Sequence, residues 1–139
     1  MAVLVDSCVL LDVFEDDPQW FEWSVTQLER CSEGGPLLIN PIIYAEISIG
    51  FERIEDLETQ VRNLDLKLPV LPREALFLAG KAFLEYRRRG GQRRSPLPDF
   101  FIGAHASILK IPLCTADARR YQTYFPELEL RTPKRTKQN

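Results

Sequence analysis

The chain has 139 residues, 45% hydrophobic and 27% charged, with 10 Pro and 7 Gly, which suits one globular domain and excludes a multidomain assembly, a disordered chain, collagen and a coiled coil. Its formal charge of −2 gives no general attraction to nucleic acid. That sum conceals a division, because residues 1–86 carry 16 acidic and 6 basic side chains and residues 87–139 carry 4 acidic and 12 basic ones, an asymmetry associated with nucleic-acid or membrane contact.

Ala2 to Val5 is a short apolar run ending in Asp6-Ser7, and it predicts a strand buried on both faces of a parallel sheet. Trp20 to Arg30 sets Trp20, Trp23, Gln27 and Leu28 at helical spacing. Its aromatics Trp20, Phe21 and Trp23 are assigned to the core or a dimer interface in preference to base stacking. Pro36 to Ile39 predicts a second strand. Pro41 opens a helix over Ile42 to Phe51, since proline is tolerated where a first-turn N–H has no partner. Arg73 to Tyr86 aligns Ala75, Leu78, Ala79, Ala82, Phe83 and Tyr86 on one stripe, again a helix. Pro98 opens another over Asp99 to Lys110, and Ile111 to Thr115 predicts a third strand. Strands alternating with amphipathic helices give an α/β class, a three-layer α/β/α sandwich around a central, mostly parallel sheet. One domain is expected over residues 1–130, followed by a basic, disordered tail over 131–139.

Ligands of open parallel sheets bind beyond the carboxyl ends of the strands, where strand order reverses. Asp6 ends the first strand and Asp117 follows the third. Glu46 lies on the helix after the second, and Asp99 begins the helix before the third. Taken singly, Asp99 or Asp117 would be an ordinary helix-start acid. Glu46 is different, because Ile42, Ile43, Tyr44, Ala45, Ile47 and Ile49 make its helix apolar nearly all round, and a buried carboxylate needs a cation. Clustered carboxylates repel one another unless protonated or bridged. Four oxygen donors with no adjoining Cys or His select Mg²⁺ or Mn²⁺ over zinc. The chemistry such a site serves is metal-assisted hydrolysis of a phosphodiester.

Val3-Leu4-Val5-Asp6-Ser7, Glu46 in a mid-chain helix, Asp99-Phe100-Phe101-Ile102-Gly103-Ala104-His105-Ala106 and Leu113-Cys114-Thr115-Ala116-Asp117 resemble the ordered acidic motifs of PIN-domain ribonucleases, and the resemblance spans nearly the whole chain. Size and the lack of appended domains resemble the VapC toxins of bacterial and archaeal VapBC toxin–antitoxin pairs. The resemblance implies an Mg²⁺- or Mn²⁺-dependent endoribonuclease, held inactive by a VapB antitoxin whose carboxyl-terminal segment enters its acidic groove. Asp6, Glu46, Asp99 and Asp117 would be metal ligands or water-positioning acids, supported by the hydroxyls of Ser7 and Thr115. Where the family often has Asn two positions after the first Asp, this chain has Cys8, a poorer hydrogen-bond partner than an amide. A homodimer is expected.

Arg87, Arg88, Arg89, Arg93 and Arg94 could meet RNA phosphate or an acidic antitoxin, or simply complement a helix C-terminus; Arg119 could likewise touch substrate. His105 lies about 120° around its helix from Asp99 and is assigned to packing, not to a general base. Cys8, Cys31 and Cys114 show no disulfide or zinc spacing, so a reducing cytosol is expected. Asp6 precedes any apolar stretch long enough for a signal peptide, and no run approaches the ~20 apolar residues of a membrane span, which gives a cytoplasmic protein with no membrane contact. Haloacid-dehalogenase phosphatases want a second Asp where Cys8 stands, and receiver domains want an acidic pair and a late Lys that are missing. The remaining alternative is a catalytically weak or inactive PIN-fold module that binds RNA or protein.

Overall fold

The structure, a computed structural model, describes residues 1–133, and residues 134–139 of the expected tail lie outside the described residues. Its strands are β1 (Val3–Val5), β2 (Leu37–Leu38), β3 (Leu66–Lys67), β4 (Leu113–Cys114) and β5 (Leu130–Arg131). They pair in the order β3-β2-β1-β4-β5, every neighbour parallel. The helices are α1 (Ser7–Phe14), α2 (Phe21–Gly34), α3 (Pro41–Ile47), α4 (Ile54–Asn63), α5 (Arg73–Arg88), α6 (Pro98–Leu109) and α7 (Arg119–Tyr124), with a 3-10 turn over Ser48–Gly50.

Val3, Leu4 and Val5 are wholly buried, as the unbroken apolar run requires of a central strand covered on both faces. From β1 the chain steps outward through β2 and β3, then crosses back to place β4 on the other side of β1. Right-handed crossovers in opposite directions put helices on both faces of the sheet, which makes the three layers. The reversal falls between β1 and β4, so their carboxyl ends flank the crevice where this architecture binds ligands.

The structure corrects several expectations. β3 and β5 were not expected: each pairs a leucine with a charged residue, so unlike the equally short β2 and β4 they carry no continuous apolar run. The sheet reaches Arg131, one residue into the expected tail, and Thr115 N–H donates to the Arg131 carbonyl at 3.0 Å. Helix α6 ends before Lys110, which takes a left-handed φ of 58°. Helix α3 is not apolar all round in its setting: Ile43 and Ile47 are buried, whereas Ala45 is exposed and Ile49, in the 3-10 turn, is 84% exposed. Trp20, Phe21 and Trp23 are half-buried at the start of α2, and Trp23 packs against the core.

Two packing details set the helices that carry the acids. Asn40, fully buried, caps α3 by accepting the Ile43 N–H at 2.8 Å, and its Nδ2 faces His105 Nδ1 of α6 at 3.1 Å. Burial holds the imidazole below its usual pKa, so Nδ1 is an acceptor and the Asn40 amide donates to it. His105 is therefore a packing residue, as its spacing implied. In α6, Gly103 lies where a Cβ would come 2.5 Å from the Phe125 ring and 3.1 Å from Tyr121, so only glycine lets those two aromatics seat against the helix.

Asn40→Ala removes a cap and strands a buried imidazole nitrogen, and unfolding free energy is expected to fall by about 2 kcal/mol or more. Urea denaturation measures this, and a loss under about 0.5 kcal/mol would contradict the paired roles given to Asn40.

Candidate active site

Asp6 follows β1 directly and is the N-cap of α1, its Oδ1 accepting the Ser7 N–H at 2.8 Å. The commonplace role for an aspartate at a helix start is thus real here, but it uses only one of the two oxygens. Oδ2 accepts the Thr115 hydroxyl at 2.8 Å and the Tyr121 hydroxyl at 3.0 Å. Thr115 stands just past β4, across the sheet from Asp6, so the switch point places an acceptor and a donor side by side. Asp6 is 6% exposed. Burial pushes its pKa up, the Thr115, Tyr121 and Ser7 hydrogen bonds pull it down, and Glu46 pushes it up further.

The other acids join through the same donors. Ser7 Oγ donates to Glu46 Oε1 at 2.7 Å. Tyr121 Oη also lies 3.3 Å from Asp99 Oδ1. Thr115 Oγ1 accepts the Asp117 N–H at 3.2 Å, which ties the exposed Asp117 to the group through its backbone. Burial raises the pKa of Glu46, the Ser7 bond opposing and Asp99 adding to the rise. Burial raises that of Asp99, with Asp6 reinforcing and Arg120 opposing it. Arg120 stands 3.5 Å from Asp99 Oδ2, both side chains roughly one-third exposed, at 39% and 32%.

All four expected acids therefore belong to one network, but they are not gathered around a single point. Among the described residues no three His, Cys, Asp or Glu side chains form a ready metal cage. Hydroxyl groups of Ser7, Thr115 and Tyr121 stand against the carboxylates and take up some of their lone pairs. The donor chemistry still fits a hard divalent ion, since Mg²⁺ takes oxygen ligands, keeps several waters and needs only one or two protein carboxylates. Cys8 does not compete for that role. Its sulfur accepts the Ala116 N–H at 3.5 Å and lies 3.7 Å from Thr115 Oγ1, and burial beside Asp6 pushes the thiol up to about 12, so it stays protonated. It pins the loop after β4 against α1.

A groove of about 570 Å³ runs from Asp99 and Asp117 past Arg119, Arg120, Tyr86 and Tyr124. Arg89 reaches its edge, its guanidinium 5.3 Å from the Tyr124 ring centre, while also pairing with Glu85 at 2.9 Å. Arg87 donates to the Arg93 carbonyl at 2.9 Å. Arg88, Arg93 and Arg94 are exposed and do not line this groove. Sequence reasoning missed Tyr121 as a site residue. Its signal was position: it follows Asp117 by four residues, about one helical turn, on a helix that starts at the strand end.

A carboxyl group whose folded pKa is raised stabilises the fold while protonated, and that contribution is lost as pH climbs through the folded value. Asp6, Glu46 and Asp99 all shift upward. The melting temperature of the chelator-treated protein is thus expected to fall as pH rises above the ordinary carboxylate range, about pH 4, and to fall less in Asp6→Asn. Differential scanning calorimetry reads both slopes, and equal slopes would contradict the burial of this charge.

A family model described as PIN domain matches residues 3–126. No curated protein matches the chain in sequence. Among solved structures, the chain is similar to VapBC2 from Rickettsia felis, bound there to a DNA fragment from their promoter, at 17% identity and TM-score 0.74 over 96% of this chain and 100% of that one. FitAcB from Neisseria gonorrhoeae aligns at 16% identity and TM-score 0.70, covering 92% of this chain and 95% of that one. VapBC-1 from nontypeable Haemophilus influenzae aligns at 19% identity and TM-score 0.67, covering 94% and 96%. Such identities carry the fold and nothing finer. The family match, extending across β1, the acidic network and α7, identifies the chain as a member of the PIN domain family.

Proposed function

We propose that the chain is a VapC-type toxin, an endoribonuclease that hydrolyses RNA phosphodiester bonds with Mg²⁺ or Mn²⁺. The observation that supports this most is the linkage of the Asp6, Glu46 and Asp99 carboxyl groups through donors of Ser7, Thr115 and Tyr121 at the reversal point of the sheet, with the Asp117 backbone N–H donating to Thr115 Oγ1. Asp6, with Glu46 and Asp99 beside it, would hold the ion, and Asp117 would lie at the mouth of the groove. When bound, a divalent cation supplies charge neutralisation at the phosphate and activation of water. Arg119 and Arg120 flank Asp99 and Asp117 in the groove and would meet phosphate oxygens, Arg120 by exchanging its long contact with Asp99 for the substrate. Arg89 at the groove edge would extend that track, with Arg87, Arg88, Arg93 and Arg94 offering a further basic surface to RNA or to an acidic antitoxin segment.

A VapB-type antitoxin is the proposed inhibitor, because the similar solved structures from R. felis and H. influenzae are VapBC pairs. A homodimer acting in the cytoplasm completes the proposal; among the described residues no helix is long and apolar enough to cross a membrane.

A second function has one observation in its favour. The Arg120–Asp99 ion pair suits a PIN-fold module that binds RNA or protein without turnover. The two separate cleanly. A nuclease cleaves RNA only with Mg²⁺ or Mn²⁺, stops with EDTA, and loses about a hundredfold or more of its rate in Asp6→Asn. Mg²⁺ at about 100 times its Kd should also raise Tm by several degrees through ligand linkage. RNA binding with no metal-dependent cleavage would establish the module instead.

A further inference from the structure

Tyr121 is 1% exposed, and its ring is seated against Gly103 of α6. Its hydroxyl stands 3.0 Å from Asp6 Oδ2 and 3.3 Å from Asp99 Oδ1. A phenol carries one proton, so it can donate to only one of these carboxylates at a time. Two negative groups thus converge on one small positive end. An ionised carboxylate has about four acceptor positions, and three donors already occupy those of Asp6: Ser7 N–H, Thr115 O–H and Tyr121 O–H. Asp99 offers one oxygen to Tyr121 and the other to Arg120. A cation that bridges Asp6 Oδ2 and Asp99 Oδ1, the two oxygens facing Tyr121, competes with its hydroxyl for their lone pairs.

We propose that Tyr121 is a positioning residue whose hydroxyl holds the place of the cation, keeping Asp6 and Asp99 together in the metal-free protein and weakening their hold on a divalent ion. The proposal rests on the metal-dependent activity proposed above. Its competition is local: the Thr115 hydroxyl donates to Asp6 and the Ser7 hydroxyl to Glu46, each to a single carboxylate, whereas the Tyr121 hydroxyl lies within reach of two. Tyr121→Phe keeps the ring, and with it the packing on Gly103, and frees the acceptor position that the phenol occupies on Asp6 Oδ2 or Asp99 Oδ1. An inward-pointing ligand role would act oppositely, since losing the phenol oxygen would then weaken binding.

The test is Mn²⁺ binding to the RNA-free protein, read by electron paramagnetic resonance of the free ion, in wild type and Tyr121→Phe. The variant is expected to bind Mn²⁺ about fivefold more tightly, the equivalent of one modest hydrogen bond. A second readout uses wild type and does not depend on the variant folding. Saturation with Mn²⁺ should perturb tyrosine near-UV absorbance with the same midpoint as binding, as the phenol loses its carboxylate acceptors. Unchanged or weaker binding in Tyr121→Phe, or a tyrosine spectrum indifferent to Mn²⁺, overturns the placeholder role while leaving the nuclease standing. Wild type that binds no Mn²⁺ at all overturns the metal-dependent function itself.

Discussion

A carboxylate buried at the end of the central strand is the constraint around which this molecule is arranged. Asp6 is 6% exposed, and a bare charge there would cost more than the fold could supply. Backbone and side chains answer it from three directions: the first N–H of α1, a hydroxyl from the neighbouring strand end, and a phenol from α7. Each answer fixes an element. Satisfying Asp6 aligns α1 on β1, registers the loop after β4 and draws α7 in over the crevice.

The satisfaction is incomplete, and that is where function enters. Glu46 and Asp99 are brought within electrostatic reach of Asp6 and of each other, and all three carboxyl groups are shifted toward the neutral form. Hydroxyl dipoles can ease mutual repulsion but cannot neutralise it, whereas a divalent ion can. The groove beyond Asp99 and Asp117 is then bordered by Arg119 and Arg120, so an acidic interior meets a basic rim.

Much of this was legible in the sequence, for reasons that differ by residue. The apolar run into Asp6 and the short strand into Thr115 read correctly because continuous burial leaves an unambiguous signature and both run straight into polar groups. The reason that singled out Glu46 fails in part: its helix buries Ile43 and Ile47, but Ile49 is 84% exposed in the turn that follows. Helices α1, α4 and α7 went unread, as did the two-residue strands β3 and β5, because elements this short or this mixed in polarity are set by tertiary pairing and not by local pattern. Asn40 and Tyr121 were invisible for a related cause, since one buried amide and one buried phenol acquire their roles only from partners 65 and 115 residues away. Composition hinted at a basic half without showing that, among the described residues, Arg119 and Arg120 line the groove and Arg89 stands over Tyr124 beside it.

The central claim is that these carboxylates form one site for one kind of ion. Anomalous scattering from crystals grown with Mn²⁺ addresses it most directly. The account predicts an anomalous peak within coordinating distance of an Asp6 oxygen and of Glu46 or Asp99, lying in the crevice between β1 and β4. A peak confined to other acidic side chains, or none at a concentration that supports RNA cleavage, would contradict it.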